Sequence, residues 1–485
     1  MTTIRPMTMT RPSHVMCITR RRTAFALTLP LSLALVGVGG CDSDDDDATT
    51  TSAGATDGTD TTTGTTGGTE STTGTDTTGS GTGTTGTGTD TGEPGCAPAA
   101  GCDLMVCPSA DDDTAVQTAF IDVPEGGTVC LSAGTFNFTQ EMSLAVDGVT
   151  VRGASAAETI LSFADQAFGA NGIAITGNDV TIRDLTVLDT PGDGIRATAV
   201  QNITFLDMVA GWTTPKSETN GAYGLYPVKC DGVVMDGVEV YGARDAGIYV
   251  GQSQNILVQN SKAHGNVAGI EIENSIDAVV RYNEAYDNTG GVLIFDLPGL
   301  ELKNGQRTLV HNNRIYRNNE ANWGIPGTSV GKIPRGTGVI VLCADFTELR
   351  ENDIRDNSSY GIAVVSYLDL LFGGFDDPEF DQFPEGTYIH DNTIEGNGGQ
   401  QDPFVALILR GDPGSVIWDG CRPEMARDPN RDDPCLSNNV TDAGGAISFI
   451  NGDLCNNSQN RELGLDNYTC EYEAFVDPWP ESSGN

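Results

Sequence analysis

Two carboxylates, Glu271 and Glu273, stand two residues apart in the string AGIEIE. In an extended strand, residues i and i+2 share a face about 7 Å apart. Such a pair can work as general acid and base, or hold Ca²⁺ together with Asp296 or Asn274. Tyr249 and Arg196 fit a second chemistry, a phenolate base and a guanidinium clamp for β-elimination from a uronic acid. Plainer readings compete with both. Paired acids in a very acidic chain also make an ordinary solvated face, and a Tyr–Arg pair is common on any surface.

These residues sit in a repeat. Two copies of one pattern open at Asn255 (NILVQNSKAHGNVAGIEIENS) and Asp277 (DAVVRYNEAYDNTGGVLIFDL), 22 residues apart. Each copy holds three short alternating segments punctuated by Gly and Asn, too short and too β-branched for helices. Self-similarity at this period predicts a solenoid, and units of three strands and three turns stack as a parallel β-helix. The predicted fold class is therefore all-β, a right-handed parallel β-helix over residues 149–414. Asn283, Asn313, Asn352 and Asn392 recur at one turn position, as a stacked amide ladder requires. Their role is structural.

Each coil then reaches a Gly-Ile-like strand, from Gly194-Ile195 to Gly361-Ile362. Three insertions break the spacing, at residues 211–223, 317–337 and 367–386. The first two enter just before this strand, four coils apart, which sets them about 19 Å from one another. By strand alternation, the floor between them presents Arg196, Tyr226, Tyr249, Glu271 and Glu273, followed by Leu293 and Phe295. Lys229 and Asp245 lie at its margin, and Trp212 and Trp323 stand on the bracketing loops. Read as a groove, this face offers Arg196, Lys229, Tyr249, Glu271 and Glu273 for catalysis. Trp212, Tyr226, Asp245 and Trp323 are its ligand contacts, and Glu271, Glu273 and Asp296 its candidate Ca²⁺ ligands. No other cofactor is indicated. His311 and His390 share an outward column with Arg183, Arg281 and Arg350 and are expected on the surface, and His264 is no ligand either. No Ser/His/Asp arrangement, HExxH motif or phosphate-cradling loop occurs.

The ends of the chain carry its address. Arg20–Arg22 and the apolar run that follows read as a signal peptide over residues 1–40. Val38-Gly39-Gly40-Cys41 has the form of a bacterial lipobox, which makes Cys41 the lipidated residue and a membrane anchor. Residues 41–95 are Asp, Thr and Gly repeats with almost no apolar side chains, a tether rather than a core. The net charge of −41 argues against nucleic acid as a partner. It repels acidic polysaccharides as well, unless a local basic patch or a bridging cation intervenes.

Of twelve cysteines, ten lie beyond Cys17 and Cys41. Cys96, Cys102, Cys107 and Cys130 precede the coils, and Cys421, Cys435, Cys455 and Cys470 follow them. In an exported chain these groups predict disulfide staples at both ends, with the pairing left open. A short helix over residues 111–121, with Asp113 as N-cap, closes the first end within a cap of residues 96–148. Residues 415–485 form an irregular Cys-rich cap at the other.

The strings YGLYPVKC, DAGIYVGQS, NVAGIEIENS, NTGGVLIFDLPGL and GTGVIVL together resemble a family of exported right-handed parallel β-helix proteins, over residues 111–397. The resemblance implies lipoprotein-type or signal-peptide members and a frequent partner, an exported dihaem c-type cytochrome-like protein. It brings no established catalytic residues. The chain lacks the paired-Asp and Gly-His-Gly signature of polygalacturonases and the Asp-Pro-His signature of alginate epimerases. Three functions remain open. One is an envelope-anchored module, periplasmic or on the outer surface, that binds a carbohydrate or protein partner. The others are a polysaccharide lyase or related enzyme, and a structural subunit for the cytochrome-like protein.

Overall fold

The computed structural model describes residues 96, 100–411, 414–422 and 431–480. The signal peptide, the lipidation site Cys41 and the tether expected from the sequence lie outside the described residues.

Three sheets wrap one interior. One coil runs through Gln254–Gln259, Lys262–His264 and Ala268–Glu273 before Ile276–Arg281 begins the next. Strands at equivalent places pair in parallel, with Gln254 opposite Ile276 and Gln259 opposite Arg281. Repetition builds two sheets of 12 strands and one of 10. The chain is thus the parallel β-helix that the repeat predicts, and its crossovers take the right-handed sense that parallel connections require. The stacked strands extend beyond residues 149–414 on both sides, from Leu104–Val106 and Thr128–Leu131 to Cys435–Ser437 and Phe449–Asn451.

Alternation decides the core. Ile256, Val258, Ile270 and Val292 point inward and are fully buried. A closed coil also turns inward three sets of backbone groups at its corners, and these must find partners. The first corner carries the expected ladder. Amide Nδ2 donates to the next Oδ1 from Asn283 to Asn313 (3.0 Å), Asn313 to Asn352 (3.0 Å), Asn352 to Asn392 (2.9 Å) and on to Asn439 (2.9 Å). A second ladder, which the sequence reading missed, follows at the next corner through Asn266, Asn288, Asn318, Asn357 and Asn397. At the third corner, Ser253 and Ser275 accept from the backbone N–H of Cys230 and Ser253.

Both ends are closed. Helix Asp112–Asp122 lays Val116, Ala119 and Phe120 over the first opening. Its N-cap is Asp111, not Asp113. Asp113 instead accepts from the backbone N–H and hydroxyl of Thr139, because tying the helix to the first coil satisfies a strand edge that a local cap would leave bare. At the other end Trp418, Phe449 and Tyr468 fill the interior. Disulfides staple both ends as expected, and the structure supplies the pairing: Cys96–Cys107, Cys102–Cys130, Cys421–Cys455 and Cys435–Cys470. Cys230 and Cys343 are free and buried.

The last described residues return along the outside of the coil. Phe475 and Trp479 cover Leu257, Val279 and Leu309. Arg281, 0% exposed, pairs with Asp477, donates to Pro480 O (2.7 Å) and to Gln259 Oε1 (2.9 Å). His311 Nε2 lies 3.2 Å from Asp477. His390 is held between Glu348 and Asp391. The expectation of surface positions for His311 and His390 therefore fails, because the C-terminal segment, 166 residues beyond His311 at Asp477, covers or abuts that column.

The second ladder gives a direct test. Replacing Asn318 by Ala strands Ala285 O and the N–H of Asn288 in a dry corner. We expect a loss of about 1–3 kcal/mol of stability by denaturant unfolding.

Candidate functional site

The site sheet is the one that contains Leu225–Val228, Ala246–Gly251, Ala268–Glu273 and Gly290–Phe295. Its outward columns follow the register. Arg196 stands opposite Tyr226, Tyr249 opposite Glu271, and Glu271 opposite Leu293, while Glu273 neighbours Gly251 and Phe295. Alternation thus brings the expected residues onto one face. The expectation of a bare floor does not survive. Glu271 is 1% exposed, Tyr249 3% and Phe295 1%. Tyr223, Val330, Ile333 and Phe380 from inserted segments, together with Leu297 just beyond its strand, pack down on Tyr226, Tyr249, Leu293 and Phe295. The loops expected to rim a groove fill it, since so much outward apolar surface is more stable covered than wet.

Three tyrosines form the centre. The rings of Tyr223 and Tyr226 stack at 4.4 Å, and Tyr249 lies 4.7 Å from each. Arg196 sits over Tyr226 at 5.0 Å, beside Asp193 at 3.8 Å. Tyr226 therefore separates Arg196 from Tyr249, and the two groups wanted for β-elimination do not meet. The Tyr249 hydroxyl donates to Glu273 Oε1 at 2.8 Å. Burial, followed by the charges of Glu273 and its neighbours, pushes the Tyr249 phenol well above its ordinary range, which removes it as a resting base.

Glu271 is the unusual group. Its Oε2 is buried with no hydrogen-bond partner. Burial first, and then the charges of Asp245 and Glu273, hold its carboxyl well above the usual carboxylate range. A carboxyl in that state is an acid that keeps its proton, sealed from solvent. Tyr223, missed by the sequence reading, completes this environment, and its only signal was its place directly before Gly224-Leu225.

The Ca²⁺ ligands do not converge. Asp296 spends its two oxygens on the N–H groups of Gly305 (3.0 Å) and Asn304 (2.9 Å), and burial pushes its pKa to about 7. Asn274 likewise ties the same loop, through Leu297 and Leu302. Among the described residues, no three His, Cys, Asp or Glu side chains gather as metal ligands. The remaining candidates scatter. Trp212 is 4% exposed, with its indole N–H on Thr190 O at 2.7 Å. That packing requires glycine at 221, where a Cβ would meet Gly192 O and the Trp212 ring. Trp323 packs half-buried against the same apolar cluster. Lys229 alone stays open, 3.0 Å from Glu301. His264 is stacked between Tyr241 and Tyr286 on another sheet. The Cys230 thiol, pushed up to about 11 by burial, is inert at neutral pH.

A family model described as right handed beta helix region matches residues 171–298 and 212–376. No curated protein matches the chain in sequence. Among solved structures, the A-module of a mannuronan C-5 epimerase from Azotobacter vinelandii aligns with a TM-score of 0.46 at 18% identity, covering 71% of this chain and 93% of that one. A periplasmic alginate epimerase aligns with a TM-score of 0.40 at 15% identity, over 70% of this chain and 84% of its own. The N-terminal fragment of bacteriophage phi29 gene product 12 gives 0.45 at 14%, over 70% and 61%.

The buried acids make stability depend on pH. Glu271, Asp296 (raised to about 7) and Asp419 (raised to about 6) keep protons in the fold that the unfolded chain has already lost. Their contribution is full below the unfolded pKa of about 4 and falls as pH rises towards the folded values, by up to about 1.4 kcal/mol per pH unit for each group. We expect the thermal midpoint to drop between pH 5 and pH 8. Glu271→Gln, uncharged at every pH, should lose less of it. A profile flat over that range would contradict protonated, buried carboxyls.

Proposed function

We propose that the protein is an exported binding module of the bacterial envelope, anchored through Cys41, that holds a neutral carbohydrate at the corner beside the site sheet. One observation carries this reading. Glu271 and the tyrosines that a lyase would need are sealed under covering segments, whereas a shallow pocket with polar residues beside them is open. That pocket has a volume of about 400 Å³ and is lined by Lys229, Asp231, Gln252, Ser253, Gln254 and Glu301 among others. Ammonium, amide and carboxylate groups within one depression suit a ligand rich in hydroxyls. The −41 net charge favours a neutral glycan over a uronate. Four disulfides support export, since such bridges persist in oxidising compartments.

The test is a glycan array probed with the full chain carrying Cys41→Ser, with and without Ca²⁺, followed by product analysis of each hit. Binding of a neutral glycan without turnover is expected. Lys229→Ala combined with Gln254→Ala should weaken it about tenfold or more, at an unchanged thermal midpoint. Shortened or unsaturated products would replace this reading with the enzyme. A blank array would end the carbohydrate reading and direct attention to a protein partner, the cytochrome-like protein among them.

A further inference from the structure

Farther along the site sheet, the outward column of Leu293 continues through Ile340, Ala363 and Ile417. There the covering segments stand off the sheet. Helices Asp369–Phe372 and Pro403–Leu409 roof the column and leave a partly enclosed cavity of about 310 Å³. Its walls are apolar almost throughout, with Ile340, Ala363 and Ile417 as floor and Phe372, Val405 and Ile408 as roof. Of the polar groups that border it, the Trp418 indole N–H, buried in the core, has no partner, whereas two others are engaged. Asp419 accepts from the N–H groups of Ser366 and Cys421, and Tyr360 meets Thr337 Oγ1 at 2.8 Å. A polar ligand would find little to bond there. At the mouth, Phe404 is 45% exposed and gives the cavity an apolar lip.

The cavity also has a charged edge. Lys332 lines it, and its Nζ reaches the Phe372 carbonyl at 3.0 Å and the Phe372 ring at 5.9 Å. Among the described residues no carboxylate lies in ion-pair range of Lys332. In a chain with 67 acids and 26 basic residues, an ammonium without an acid beside it marks a place for a foreign anion. The negative charge of the rest of the surface is screened beyond about 8 Å at physiological salt, so the local cation governs a head group seated at the rim.

We infer that this cavity binds a single-chain amphiphile with an anionic head, a fatty acid, with its hydrocarbon tail between the helices and the site sheet and its carboxylate at Lys332. The site is separate from the polar corner pocket and does not depend on what that pocket holds.

The experiment is a titration of the full chain carrying Cys41→Ser, purified without detergent, with the fluorescent fatty acid cis-parinaric acid, followed by displacement with dodecanoate and with dodecanol. Saturable binding of one probe per chain is expected, displaced more tightly by dodecanoate than by the alcohol. Ala363→Phe, which fills the floor, should abolish it. Ile408→Trp fills the roof from a half-buried position and serves if the first variant fails to fold. Lys332→Glu should weaken dodecanoate about fivefold to tenfold while leaving dodecanol nearly unchanged. Absence of saturable binding would overturn the inference, as would undiminished binding by a folded cavity-filling variant. Equal affinity for acid and alcohol, indifferent to Lys332→Glu, would overturn the anionic head group.

Discussion

Everything in this molecule depends on satisfying backbone groups at the corners of a closed coil. Within each strand the neighbouring coils supply partners, but three times per turn the chain bends and presents N–H and C=O groups to a dry interior. Between Asn283 and Asn397 asparagine solves this twice per coil, because its side chain carries both a donor and an acceptor and can face the same residue one coil away. Serine solves it at the third corner with shorter reach. The ladders also set register, since an amide displaced by one residue would lose its partners above and below. Strand register then determines which side chains reach the core and which reach the outside.

The outside is where this chain departs from a plain solenoid. A parallel coil offers three flat outer faces, and two of them carry large apolar residues here. On the site sheet the inserted segments cover Tyr226, Tyr249, Leu293 and Phe295. On the first sheet the returning tail covers Leu257, Val279 and Leu309. Burial on both sides of a sheet costs the solvation of any ionisable group caught beneath. At Arg281 that cost is offset by Asp477, Gln259 and a carbonyl at once. At Glu271 there is no cation, and the group instead holds its proton. The same outward column thus passes from a sealed carboxyl through packed aliphatics to an apolar cavity, without any change in strand pairing.

Much of the fold was legible because its determinants are local and repeated. The 22-residue period, the alternation and the recurring Asn283, Asn313, Asn352 and Asn392 are visible without any knowledge of contacts. The second ladder was equally present, with Asn288, Asn318, Asn357 and Asn397 each five residues after one of the first. Alternation also placed Arg196, Tyr226, Tyr249, Glu271 and Glu273 on one face correctly. Their exposure was not legible, because alternation says which way a side chain points and nothing about what lies over it.

The amino-acid sequence by itself determined the coil, its period, the inward residues and the clustering of cysteines at its two ends, since each follows from neighbours in the chain or from the same position one repeat away. Tertiary structure alone decided the disulfide pairing, the sealing of Glu271 and Tyr249, and the burial of Arg281 and His311 under Asp477. These are contacts between segments that share no repeat, where chain connectivity imposes no register. Only the packing of the inserts and the tail against the finished coil could choose among the arrangements open to them.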